Sequence, residues 1–106
     1  MSYFNSKEVS LSIQTGYPIF KKVGEPMNIG EAVKERILEL CKEKNISINK
    51  LSIMSGVTQS TVNNIVSGRN QSTTVATIKK LCDGLDITIQ AFFNSELFSE
   101  LEQEIK

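Results

Sequence analysis

Between Thr58 and Gly68 the chain places Gln59, Ser60, Thr61, Asn63, Asn64 and Ser67 in one short run that holds no charged side chain. Carboxamides and hydroxyls in this setting do hydrogen-bond chemistry, not bond-breaking chemistry. Gln or Asn can bond bidentately to adenine, Ser and Thr can bond to several bases, and a Thr methyl can touch the methyl of thymine. In the same run Val62, Ile65 and Val66 recur at the 3, 4 spacing of a buried helical stripe. At about 100° per residue, Ser60, Asn64 and Ser67 point away from that stripe, Asn63 flanks them, and Gln59 and Thr61 stand at the exposed N-terminal end. Exposed helix faces are ordinarily filled by Glu, Lys and Arg, which favour the helix more than Ser, Thr or Asn do. Helix propensity is given up here for short polar groups that suit base edges.

Two elements must hold such a face in place. The helix itself is bounded by Thr58, a good N-cap, and Gly68, a good residue just past a helix end. A preceding helix from Ser47 to about Ser55 braces it: Ser47 is the cap, Leu51 and Met54 are expected to face inward, and Ser52 stands four residues before Gly56. A small residue there allows close approach of the two helices, and Gly56 can take positive φ without a Cβ clash. Leu51, Ser52, Gly56, Val57, Val62 and Ile65 together form the small, Gly and apolar pattern of a helix-turn-helix. Two core helices of another small bundle can show the same offsets, and that remains the bland alternative.

On these residues, the segment from Asn28 to about Ile89 resembles the Cro/C1-type helix-turn-helix family, also called XRE or lambda-repressor-like. The resemblance implies a compact all-α domain of five helices, commonly a dimer, that binds two-fold symmetric operator DNA and controls transcription. Carried over by position, Gln59, Ser60 and Asn64 meet base edges, and Thr61, Asn63, Ser67 and Arg69 touch bases or neighbouring phosphates. The family often places Gln at the start of the motif's first helix, where this chain has Ile48. It often has Pro in the loop after the second, where Arg69-Asn70-Gln71-Ser72-Thr73 has none.

Length and composition agree with one small domain plus an arm: 106 residues, 40% apolar. The net charge is zero, from 12 basic and 12 acidic residues, which by itself speaks against strong nonspecific DNA affinity. The distribution of charge points the other way. Asn45 to Lys80 carries Lys50, Arg69, Lys79 and Lys80 and no acid, where overall frequency gives about four acids. Met1 to Lys44 nets +1 and Leu81 to Lys106 nets −5, so one surface can face phosphates while the C-terminal segment faces away. A merely polar Ser/Thr/Asn-rich stretch is the competing account. Cys41 and Cys82 sit at apolar-face positions without a CxxC partner and read as core residues of a protein in a reducing cytosol. The absence of histidine excludes Ser-His-Asp and Cys-His catalysis and the common His-containing zinc sites. No metal, cofactor or catalytic group is expected. No apolar run approaches membrane-spanning length and no signal-peptide layout is visible, so a cytoplasmic location is the expectation.

Residues 1–27 differ in character. Val9, Leu11 and Ile13 alternate with Ser10 and Ser12, and Ile19-Phe20 to Val23 offers a second strand after Thr15-Gly16-Tyr17-Pro18. A small β-hairpin or a loosely ordered arm before Gly24-Glu25-Pro26 both fit, and an isolated hairpin needs an apolar cover. Met27 is a further candidate start, since Gly24-Glu25 can be encoded by a sequence resembling a ribosome-binding site. The domain proper is expected over 28–89. Asn28 and Glu31 form a capping-box start, and Ile29, Val33, Ile37, Leu40 and Cys41 make the inner stripe of a helix ending near Asn45. Glu31, Lys34, Glu35, Glu39, Lys42 and Glu43 read as its solvated face. A fourth helix from Thr74 to about Asp83 buries Val75, Ile78, Leu81 and Cys82, with Gly84 closing it.

Residues 90–106 are expected to continue a last helix that starts at Thr88 and runs through the terminal acids, with Ile89, Phe93, Leu97 and Leu101 at four-residue spacing. That is more apolar surface than one small core absorbs. Phe98, Leu101 and Ile105 are therefore candidate dimer contacts, and cover by the N-terminal arm is the rival. The expected interface has Gln59, Ser60, Thr61, Asn63 and Asn64 at bases and Ser47, Lys50, Thr58, Ser67, Arg69, Asn70 and Thr73 at phosphates of a double-stranded operator. The exit loop is also open to a bland reading as an ordinary polar loop. A transcriptional regulator, repressing more than activating, is the expected function. A protein-interaction module of the same fold, such as an antitoxin or anti-repressor with a co-encoded partner, is the alternative.

Overall fold

The computed structural model describes residues 26–105. The expected hairpin or arm over Val9 to Val23 lies outside them. Five α-helices follow in order: α1 (Ile29–Lys44), α2 (Ile48–Ser55), α3 (Gln59–Val66), α4 (Val75–Leu85) and α5 (Ile89–Phe93), then a 3₁₀ turn over Glu96–Phe98. The all-α expectation holds. Each α-helix opens on a short polar cap whose side chain accepts an N–H three residues on: Asn28, Ser47, Thr58, Thr74 and Thr88. At α1 the cap is reciprocal, because the Glu31 carboxylate accepts the Asn28 N–H at 3.1 Å. Helix ends are equally explicit, with Asn45 and Asp86 in the left-handed region beyond α1 and α4.

The core joins α1, α2, α3 and α4 through Ile37, Leu51, Val62, Ile65, Leu81 and Leu85, and Phe92 of α5 closes it. Cys41 and Cys82 are buried within it as free thiols. Burial pushes the Cys41 thiol up to about 11, and raises that of Cys82, so both stay protonated and inert. Gly84 does not end α4 as expected. The helix runs on to Leu85, and Gly84 is an interior residue whose absent Cβ would lie 2.8 Å from Ser55 Cα and 2.9 Å from Ser55 N. Its role is close packing of α4 on α2.

Three burial assignments are corrected. Met54 and Val75 are 40% and 72% exposed, not inward, because α2 and α4 bury narrower stripes than simple periodicity supplies. Glu35 is the reverse: placed on the solvated face of α1, it is only 3% exposed. Its Oε2 lies 3.8 Å from Lys34 Nζ and its Oε1 has no hydrogen-bond partner.

The continuous C-terminal helix is also overturned. α5 stops at Phe93, Asn94 leaves helical geometry, and Ser95 takes an extended conformation whose side chain caps the 3₁₀ turn by accepting the Leu97 N–H at 3.2 Å. Asn and Ser compete with the helix by bonding nearby backbone, so the chain breaks where they fall together. The break folds Phe98 back: its ring centroid lies 4.9 Å from Phe93 and 6.2 Å from Phe92. Leu101 then forms a parallel bridge with Met27, and the Glu102 N–H donates to the Met27 carbonyl at 2.9 Å. Arg36, which periodicity did not single out, fastens this corner. Buried in α1, it donates from Nε to the Phe92 carbonyl at 2.6 Å and from Nη2 to the Ala91 carbonyl at 2.7 Å, and Nη1 meets Glu39 at 2.7 Å.

Candidate nucleic-acid interface

Val62, Ile65 and Val66 anchor α3 in the core, which turns its other face outward. Gln59, Ser60, Asn63 and Ser67 are exposed and Asn64 half-exposed, as the 3.6-residue period requires. Among the described residues, the amides of Gln59, Asn63 and Asn64 and the Ser60 hydroxyl engage no other group, so their donors and acceptors are available to a partner. Thr61 differs. Its hydroxyl accepts from Thr58 Oγ1 at 2.8 Å while Thr58 Oγ1 accepts the Thr61 N–H at 3.2 Å, so Thr58 Oγ1 is used on both sides in capping the helix and the Thr61 O–H remains a donor. The Ser67 hydroxyl donates to the Asn64 carbonyl at 3.3 Å.

The turn before α3 holds its angle through Gly56, at φ +69°, and the exit turn through Gly68, at φ +86°. Both are conformations that a Cβ disfavours. Asn70 then ties the exit loop to the helix, its N–H donating to the Asn64 carbonyl at 2.9 Å, and its Oδ1 accepts the Ser72 N–H at 2.9 Å. That leaves its side-chain NH₂ as a donor. The loop is seated on the start of α1: a Cβ on Gly30 would stand 2.6 Å from Gln71 Cβ, and Asn28 Nδ2 donates to Gln71 Oε1 at 3.3 Å. Sequence reasoning missed this Gly30–Gln71 contact, for which only the Gly inside the first helical turn was a signal. Arg69 is exposed and Thr73 half-exposed on this loop, and Ser47 and Lys50 are exposed at the start of α2.

The charge pattern supports an anionic partner in one respect and weakens it in another. The first turns of α2, α3 and α4 contain no acidic residue, although an acid there would favour each helix through its dipole. Among the α-helices only α1 keeps one, Glu31. Of the four cations between residues 45 and 80, however, Lys79 pairs with Asp83, which lowers the local positive charge. Ile48, which replaces the Gln common in the family, is partly buried against the core.

The model of the Cro/C1-type HTH DNA-binding domain matches residues 36–94. The match starts within α1 and ends just past α5, so it spans the whole motif and its brace. A solved structure described as the crystal structure of the prophage Lp1 protein 11 is 36% identical, with a TM-score of 0.62, covering 71% of this chain and 99% of that one. No curated protein matches. With a capped, charge-free helix presented outward from a Gly56 turn, and the domain model covering more than half of its length, this chain belongs to the Cro/C1-type helix-turn-helix DNA-binding family.

Proposed function

We propose that the protein is a cytoplasmic, sequence-specific transcriptional regulator, acting as a repressor through double-stranded operator DNA. The observation that carries this reading is the outer face of α3, where Gln59, Ser60, Asn63 and Asn64 stand exposed or half-exposed with unengaged polar atoms. These four read base edges, with Thr61 offering its methyl and its O–H, since its hydroxyl only accepts in the cap. Arg69, Lys50, Ser47, Ser67, Asn70 and Thr73 hold the flanking phosphates, and Thr58 does so from the helix start through its backbone, its hydroxyl being used in the cap. Repression follows from occupancy alone, because a domain of this size that covers a promoter excludes polymerase without further chemistry. Two copies bind as a dimer through the C-terminal segment, where Ile105 is 88% exposed, and read half-sites about 34 Å apart.

Selection from a random duplex pool, followed by fluorescence titration of the enriched sequence, tests the proposal. An enriched site with two-fold symmetry and a steep salt dependence is expected. A pool that yields no enriched sequence rejects it.

A second reading has its own support. Ile53, 69% exposed, stands beside the exposed Met54 on α2, and an apolar pair on an outer helix face, in a chain of zero net charge, suits a protein partner. Under that reading the fold is retained in an antitoxin or anti-repressor, and a pull-down that recovers a co-encoded protein dependent on Ile53 and Met54 distinguishes it.

A further inference from the structure

Resting on the DNA-binding reading above, we infer that the half-site under α3 holds one or two adjacent A·T base pairs, with Gln59 and Asn64 as the residues that select adenine. The exposed groups of α3 are amides and hydroxyls alone, with no Arg or Lys to bond guanine bidentately and no Asp or Glu to accept from cytosine. Amides can serve both polar atoms of adenine's major-groove edge, N7 as acceptor and N6 as donor. Arg69 does not change this balance, because it lies beyond the Gly68 turn and outside the helix.

Spacing sets their number. Gln59 with Asn63 and Ser60 with Asn64 are i, i+4 pairs, which lie one above the other on a helix surface. The helix rises about 7.5 Å from Gln59 to Asn64, but a helix lying in the major groove runs oblique to the duplex axis, so only part of that rise counts along base-pair steps of about 3.4 Å. One or two adjacent pairs therefore fall within reach of the amides. Ser60, between Gln59 and the Asn63-Asn64 pair, accepts either base and sets no preference against A·T there.

The test uses the full chain and the duplex enriched from the random pool. Each adenine of the half-site is replaced in turn by 7-deazaadenine, which lacks the N7 acceptor, and each thymine by uracil, which lacks the methyl. At one or two adjacent adenines the loss of N7 should weaken binding about tenfold. Gln59→Ala or Asn64→Ala should remove that difference at one position each, with the helical circular dichroism unchanged. Gln59→Arg should move the preference at its position from A·T to G·C. An enriched half-site whose Gln59- and Asn64-dependent positions are G·C overturns the inference while leaving sequence-specific DNA binding intact. A pool without enrichment overturns both.

Discussion

Glu35 and Gln59 show how differently two polar side chains on helices can be used. Gln59 is exposed with its amide unengaged, so its removal should leave the fold alone and be felt only where a partner is bound. Gln59→Ala should weaken a cognate site by roughly 1 to 3 kcal/mol and blur preference at one base pair, whereas Arg69→Ala should weaken all sequences alike and flatten the slope of log affinity against log salt by about 0.9. Titrations at several salt concentrations on selected and scrambled duplexes separate the two. Glu35 is buried, and desolvation lifts its carboxyl from 4.5 to about 7, against an opposing pull from Lys34. Because the folded value lies above the unfolded one, the native state holds a proton that the unfolded chain has lost. Stability is therefore fully present below about pH 4.5 and falls as pH rises through 7, by on the order of 2 to 3 kcal/mol. Glu35→Gln should flatten that slope and raise the urea midpoint at pH 8; equal pH dependence of the two proteins rejects the assignment.

Among the helices, the decisive contacts are made by residues that carry no periodic signal. Gly84 should behave unlike an ordinary helical glycine, for which alanine adds about 1 kcal/mol. Its Cβ would meet backbone atoms of Ser55, so Gly84→Ala should instead destabilise by about 1 to 3 kcal/mol, and shortening the Ser55 side chain should not rescue it. Thermal unfolding of the two variants checks this. Arg36 ties α1 to α5 by donating to two carbonyls at the end of the shorter helix, a five-residue element too short to be stable alone. Arg36→Met removes the side-chain donor from the Phe92 carbonyl and leaves the Ala91 carbonyl only the Asn94 N–H at 3.3 Å, and should cost roughly 2 to 4 kcal/mol, with faster amide exchange confined at first to residues 88–101. Uniform loss of protection across α1 to α4 would show that the guanidinium supports the whole core and not this corner.

Over the whole molecule, the charge and the apolar surface are divided between ends. The acid-free stretch from residue 45 to 80 holds the starts of α2, α3 and α4, while the segment from Leu81 onward nets −5. The C-terminal apolar residues divide in turn. Phe98 and Leu101 are half-buried within the chain, and Ile105 stands free at 88% exposure. Ile105→Asp should therefore leave the helical circular dichroism unchanged while shifting the sedimenting species from dimer to monomer, removing the concentration dependence of the melting temperature and weakening operator binding. Phe98→Ala should lower the melting temperature, because it removes a ring packed on Phe92 and Phe93. A monomeric parent protein, or a dimer indifferent to Ile105, rejects the C-terminal contact.

Local chemistry made much of this legible from residue order alone. Asn28, Ser47, Thr58, Thr74 and Thr88 are caps because a short side chain satisfies an N–H three residues away, and Gly56 and Gly68 are turns because positive φ excludes most other residues. The outward polar face of α3 follows from helical period once its apolar stripe is known. Contacts between distant segments were decided only by the tertiary structure. Glu35 is buried, Gly84 is a packing residue, and Arg36 caps a helix more than fifty residues away, as its bond to Phe92 across a separation of 56 shows. The end of α5 belongs to the same class: four-residue spacing continues past Phe93, yet Asn94-Ser95 break the helix and the three Phe rings meet at one corner. Periodicity states what a helix can bury; the partner available in three dimensions determines whether it does.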